Sequence, residues 1–142
     1  MKIYIASPYI TQQEINNVIF DKLSEAGYEV FLPKSINIDA ITDEEKEFVA
    51  QTCYNEIDQC DVMVIVYPFG ISVACEAGYA ICQRFNGNNR KLILYTNIKS
   101  DKIYSEAMFM PYIDYETDNL EELQAYLKIL EPSVLSDVVF FA

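Results

Sequence analysis

The sequence predicts an α/β fold: a single domain over residues 1–142, built on a flavodoxin-like, doubly wound parallel sheet of about five strands. Three observations predict it. Short apolar runs alternate with stretches of helical periodicity, which is the pattern of strands joined by crossover helices. The clearest strand, residues 61–67, is apolar on both faces, as a central parallel strand covered on both sides must be. Apolar residues make up 51% of the chain, enough for one sizeable core.

Residues 2–6 form a mostly apolar run that Ser7-Pro8 ends, a buried first strand. Thr11-Gln12-Gln13-Glu14 reads as a capping box. Ile15, Val18, Ile19, Leu23 and Ala26 then follow helical spacing, and Gly27 is a stop signal. Residues 28–32 make the second strand, closed by Pro33. A second capping box, Thr42-Asp43-Glu44-Glu45, opens a helix whose apolar face carries Val49, Cys53, Ile57 and Cys60.

Pro68-Phe69-Gly70 breaks the third strand, and residues 72–84 read as the helix after it. Its neighbours are small or apolar, so this helix reads as buried nearly all round. Residues 91–96 are a fourth strand. Residues 97–117 hold a short helix and a fifth strand near 110–115. Leu120, Leu123, Leu127 and Leu130 mark a last helix, and an apolar tail occupies 138–142. No internal repeat, low-complexity stretch or domain linker interrupts the pattern.

The formal net charge is −12 and there is no histidine. That argues against a nucleic-acid surface, which needs a basic stripe to displace counterions, and against docking on anionic membrane. A modest anion is still allowed, because backbone N–H groups at a helix N-terminus hold one without net positive charge. Acid–base chemistry falls to Asp, Glu, Tyr, Cys or Lys. The N-terminal apolar run is too short for a signal peptide, and no run is long enough to span a membrane. Cys53, Cys60, Cys75 and Cys82 lack zinc-knuckle spacing and read as reduced, buried thiols of a cytoplasmic protein. With four glycines in all there is no Gly-rich phosphate loop, so neither cofactor nor metal is expected.

In a doubly wound sheet, ligands bind beyond the carboxyl ends of the strands, where strand order reverses. That brings together Ala6-Ser7-Pro8-Tyr9 and Tyr67-Pro68-Phe69-Gly70, with Glu76 in the first turns of the next helix. A helix N-terminus would keep that carboxylate ionised, which suits a nucleophile better than a proton donor. The alternative is a solvated early-helix glutamate; the apolar neighbours Ala74, Cys75, Ala77 and Tyr79 argue against it. By pattern alone Asp61 reads as a helix-to-strand turn residue, Tyr4 as a core aromatic with its hydroxyl satisfied, and Ser7 and Tyr9 as turn residues.

These residues resemble a known family. Lys2-Ile3-Tyr4-Ile5-Ala6-Ser7-Pro8-Tyr9 is similar to the opening of the nucleoside 2-deoxyribosyltransferases. Val30-Phe31-Leu32-Pro33, Asp58-Gln59-Cys60-Asp61-Val62-Met63-Val64 and Glu76-Ala77-Gly78-Tyr79-Ala80 follow in the family's order, over roughly two-thirds of the chain. The resemblance implies a double displacement at an N-glycosidic bond. Glu76 is then the nucleophile, Tyr4 its hydrogen-bonding partner, and Asp61 an aid to protonation on the base side. Ser7, Pro8 and Tyr9 fall on the substrate side.

The family assembles as dimers of dimers or larger, so a homo-oligomer is expected. Ser105-Glu106-Ala107-Met108 is the nearest match to the segment that a neighbouring subunit supplies to each site, with one residue too many. The apolar tail is a further candidate for such an interface. Six residues before the nucleophile the family's transferases carry an aspartate, and relatives that hydrolyse 5′-monophosphates carry a serine; here stand Gly70 and, two residues on, Ser72. Losing that carboxylate removes a repulsion against phosphate. Ser7, Ser72 and a neighbour's Ser105 would then cradle one. Three activities follow: base exchange between 2′-deoxynucleosides, hydrolysis of nucleoside 5′-monophosphates, or nucleotide binding without turnover.

Overall fold

The computed structural model describes residues 1–33, 42–98 and 101–131. In chain order the elements are β1 (Lys2–Ala6), α1 (Gln13–Glu25), β2 (Glu29–Phe31), α2 (Asp43–Gln59), β3 (Val62–Val66), α3 (Ile71–Phe85), β4 (Lys91–Tyr95), α4 (Asp101–Tyr104), a 3-10 turn (Met110–Tyr112), β5 (Tyr115–Thr117) and α5 (Leu120–Leu130). Among these residues the sheet has five strands in the order β2-β1-β3-β4-β5. Every pairing is parallel. This is the predicted doubly wound α/β architecture. No described helix is long and apolar enough to cross a membrane.

Strand side chains alternate between two cores, as the period of two requires. Ile3 and Ile5, with Val62, Val64 and Val66, pack under α1 and α5 through Ile19, Leu23, Leu123 and Leu127. Tyr4 and Ala6, with Met63 and Ile65, pack under α2 and α3 through Cys53, Ile57, Val73, Ala77 and Ala80. Both faces of β3 are therefore covered, and all five of its residues are buried.

Several local expectations change. The Thr11 capping box does not form, because the chain stays in a turn through Gln12 and α1 starts one residue later without a side-chain cap. The inner face of α1 is Asn16, Ile19 and Leu23, while Val18 is half exposed. The Thr42 box does form, with Glu45 N–H donating to Thr42 Oγ1 at 3.1 Å and Thr42 N–H to Glu45 Oε1 at 3.3 Å. The fifth strand falls at Tyr115–Thr117, and residues 110–112 make the 3-10 turn. Pro111 has no N–H to give a ladder, which excludes it from a strand interior.

The helix expected to be buried all round has an open side: Ile71, Ala74, Cys75, Gly78 and Cys82 are exposed. Cys53 and Cys60 are buried as expected, but Cys75 and Cys82 are not; all four are free thiols. The apolar tail at 138–142 lies outside the described residues.

α2 ends without a basic residue in its last turn. Arg90, just before β4, takes over from outside the helix. Its buried guanidinium donates from Nε to Cys60 O at 3.1 Å, from Nη2 to Ile57 O at 2.5 Å, and from Nη1 to Gln83 Oε1. It thus satisfies Cys60 O, adds a charged donor to Ile57 O, which also accepts the Cys60 N–H at 3.2 Å, and complements the helix dipole. Arg90→Met should lower stability by about 2–3 kcal/mol, the scale of a buried charged hydrogen-bond set. Urea unfolding checks it: the midpoint should fall at unchanged slope. An unchanged midpoint would show that water satisfies those carbonyls equally well.

Candidate active site

β1 and β3 are neighbours, and the loops that leave their carboxyl ends are tied together. Gln12 Nε2 donates to Pro68 O at 3.3 Å, and Asn16 Nδ2 to Pro8 O at 3.1 Å. Under this junction lies Tyr4, fully buried, its ring stacked on Phe31 at 5.4 Å between centroids. α3 brings Glu76 to the same place. Glu76 is the sixth residue of that helix and shares its inward side with Val73, Ala77 and Ala80.

The carboxylate is not held ionised by the helix terminus. Dipole effects fade within the first turn, and Glu76 is already past it. Burial dominates and pushes its pKa up from 4.5 to about 7, with the Tyr4 hydroxyl pulling the other way. Tyr4 is displaced far above the ordinary phenol range, by burial first and by the Glu76 charge second. The two groups are close enough to shift each other's proton affinity, yet neither Tyr4 Oη nor Glu76 Oε2 closes a hydrogen bond of ordinary geometry.

Four buried side-chain oxygens among the described residues lack a protein partner: Tyr4 Oη, Ser7 Oγ, Asn16 Oδ1 and Glu76 Oε2. Each such atom costs about 1–3 kcal/mol when left unpaired. All four belong to β1, the loop after it, the start of α1, and α3. The orphaned polar atoms thus gather at the switch point.

Cys53 joins this group. Its thiol is pushed up by burial, with the Tyr4 hydroxyl opposing and the Glu76 charge adding. By sequence it counted only as one of the apolar-face residues of α2. The signal available was its helical phase with Ile57, which aims it at the sheet face where the first strand's Tyr4 points.

Asp61 is not brought to this site. It sits before β3, at the amino edge of the sheet. Its Oδ2 accepts the Lys2 N–H at 2.9 Å, its own N–H donates to Lys2 O at 2.8 Å, and its carbonyl accepts the Lys91 N–H at 3.2 Å. A five-residue strand separates it from the carboxyl edge, about 16 Å at ~3.3 Å per residue. Asp61 opens the central pairings of the sheet, so its expected role beside the base is corrected.

The other expected residues divide. Ser7 is buried with its hydroxyl orphaned, and Pro8 and Tyr9 are partly buried beside it. Gly70 is the N-cap of α3, extended and without a side-chain acceptor, and Ser72 is exposed in the first turn. Ser105 and Met108 lie on the surface segment after α4. Ser105 Oγ donates to Lys102 O at 3.1 Å, and Met108 is 83% exposed.

A cleft of about 430 Å³ opens over the ends of β4 and β5, lined by Thr96, Asn97, Tyr104, Glu116, Thr117, Asp118 and Glu122. Another of about 320 Å³ lies at the amino edge beside Asp61 and Arg90. Neither contains Glu76. The orphaned oxygens lie outside both clefts, and one carboxylate of the first is already engaged: Glu122 accepts from Thr117 Oγ1 at 2.7 Å. No set of three or more Cys, Asp or Glu is arranged to hold a metal ion among the described residues.

No family model matches the chain, and no curated protein matches it in sequence. Solved structures do share its shape. A 2-deoxyribosyltransferase from the psychrotolerant bacterium Bacillus psychrosaccharolyticus superposes with a TM-score of 0.71 at 16% identity, over 87% of this chain and 90% of that one. A conserved protein from Enterococcus faecalis gives a TM-score of 0.65 at 17% identity, over 92% and 99%. At such identities the likeness is one of fold.

The raised pKa of Glu76 has a stability consequence. Between 4.5 and about 7 the native state holds more protons than the unfolded chain, so this group's contribution falls as pH rises through that window. Glu76→Gln removes the penalty of the buried charge. The variant should be more stable than the parent by up to about 3 kcal/mol at pH 8, and by under about 1 kcal/mol at pH 5. Urea titrations at the two pH values check this; a gap that ignores pH would mean the carboxylate is solvated.

Proposed function

We propose that the protein cleaves and transfers at the N-glycosidic bond of 2′-deoxynucleosides through a glycosyl ester on Glu76. The observation that carries this reading is the buried Glu76 carboxylate beside the partnerless Tyr4 hydroxyl, at the carboxyl edge of a doubly wound sheet. The fold shared with a 2-deoxyribosyltransferase supports it.

In this reading one carboxylate oxygen of Glu76 attacks C1′. The C1′–N bond breaks, and its electron pair leaves with the base, which takes a proton from solvent. A second base then attacks C1′ from the opposite face and gives up its ring N–H proton to solvent, the ester C1′–O bond breaks with its electron pair staying on the Glu76 oxygen, and the carboxylate is restored. Two inversions give net retention, the logic of a retaining glycosidase. Tyr4 acts as a positioning residue: its O–H donates to the non-attacking oxygen of Glu76 and fixes the carboxylate plane. Ser7, Pro8 and Tyr9 flank the sugar. A homo-oligomer completes the site, with a neighbour's exposed Ser105 and Met108 as the residues it brings.

One observation favours hydrolysis of a 5′-monophosphate as the second reading. The N-terminus of α3 has no side-chain cap and no acid in its first turn, and Ser72 stands there. Its first N–H groups are free to take phosphate oxygens, with water replacing the second base.

Incubation with deoxyinosine plus adenine, and separately with dCMP or dGMP alone, distinguishes the two. Base exchange that requires the second base is expected; free base released from the monophosphate alone would select the hydrolase. Glu76→Ala should lower either rate by about 10³-fold or more, since the nucleophile has no substitute. Tyr4→Phe should cost about 10- to 100-fold, and Asp61→Asn less than about threefold. Full activity in Glu76→Ala would sink the proposal. Because Glu76 must be ionised to attack, the rate should climb with pH until about 7 and then level.

A further inference from the structure

Tyr4 places a hydroxyl inside an apolar core. The residue is fully buried, its ring lies against Phe31, and Oη closes no hydrogen bond of ordinary geometry. Among the described residues two side chains are near enough to act on that hydroxyl by hydrogen bonding, and they come from different helices: Glu76 from α3 and Cys53 from α2. Cys53 is 9% exposed and packs in the same core as Tyr4, Val73 and Ala77. The three groups form one buried cluster that joins β1, α2 and α3.

Hydrogen-bonding capacity orders the cluster. A phenol has one proton to give and lone pairs with which to receive, whereas an ionised carboxylate only accepts. A bond from Tyr4 to ionised Glu76 is charge-assisted and about twice as strong as a neutral one, and sulfur is a weak acceptor. The phenolic proton therefore goes to Glu76 rather than to Cys53. Oη is then left as an acceptor among apolar side chains. Of its two neighbours only Cys53 has a proton to offer, because burial keeps the thiol protonated. One arrangement serves all three groups: Cys53 S–H to Tyr4 Oη, and Tyr4 O–H to Glu76. Bonds in such a chain polarise one another, so the first donor strengthens the second.

We propose that Cys53 is a positioning residue for Glu76: its S–H donates to Tyr4 Oη and so holds the phenolic proton on the carboxylate. The consequence for the rate rests on the N-glycosidic reading; the hydrogen bond itself does not. The remaining titratable groups nearby are Tyr54 and Glu56 on α2 and Cys75 on α3, and every variant below leaves them in place.

Raman spectroscopy of the intact chain tests the bond without any activity. The S–H stretching band of Cys53 is the one that Cys53→Ser removes, while the free thiols Cys60, Cys75 and Cys82 supply the rest. Donation lowers an S–H frequency, so the Cys53 band should move up in Tyr4→Phe. A band that Tyr4→Phe leaves in place overturns the proposal.

Base exchange tests the role. Cys53→Ala should lower kcat about 3- to 10-fold at unchanged KM, the worth of one hydrogen bond. The pH midpoint of its rate should rise, because a weakened Tyr4 donor favours the ionised Glu76 less. Cys53→Ser keeps a donor in nearly the same volume and should hold kcat within about twofold of the parent. In the Tyr4→Phe background Cys53→Ala should cost nothing further, since the group through which it acts is gone. A thiol that only fills the core would lower the rate equally in both backgrounds, and that result overturns the proposal. A parent that exchanges no bases would sink the proposed activity, and the Raman shift would still decide the hydrogen bond.

Discussion

β1 pairs with β2 on one side and with β3 on the other, and the helices leaving β1 and β3 go to opposite faces of the sheet. That reversal of winding holds the rest of the site in place. It separates the start of α1 from the start of α3, so the loops after β1 and β3 meet at the point where ligands of doubly wound sheets bind. Tyr4 can be buried under this junction because β1 is internal and covered on both faces. The cross-loop bond from Gln12 to Pro68 then spans the two sides.

Within that frame, burial and the helix dipole act against each other on Glu76, and magnitudes decide the outcome. A dipole effect is worth about 0.3–1 kcal/mol and is confined to the first turn. A shift from 4.5 to about 7 corresponds to about 3 kcal/mol in the other direction. Burial therefore wins, and the carboxylate stands near its midpoint at neutral pH. A carboxylate in that state is less solvated than one on the surface and still substantially ionised. The Tyr4 hydroxyl suits this balance: its own pKa is driven far up, so it keeps its proton and can donate it toward a carboxylate.

Much of this was legible in the sequence, and the gaps have physical causes. The sheet was legible because strands apolar on both faces have few alternatives, and Glu76 because a carboxylate among small apolar residues is costly. Asp61 was misplaced because a motif gives order along the chain but not which end of a strand faces the site; its backbone bonds to Lys2 and Lys91 put it at the amino edge. Cys53 was hidden because a thiol on an apolar helix face looks like any core residue until the facing strand residue is known. The open side of α3 was missed because small and apolar residues read as buried, whichever surface buries them. On α1, helical phase favoured Val18 over Asn16; the Pro8 carbonyl, which accepts from Asn16, reversed that preference.

α3 presents two unlike sides on one cylinder, one packed and one exposed. At 3.6 residues per turn, neighbours in sequence point about 100° apart, so Cys75 and Glu76 diverge, one outward and one toward Tyr4. Small residues serve both sides: Ala77 and Ala80 let the helix lie close on the sheet, and Gly78 leaves open space on the outside. A bulky residue on the inner side would lift Glu76 away from Tyr4, while one on the outer side meets nothing in the chain. The depth at which Glu76 is buried therefore follows from the inner side alone.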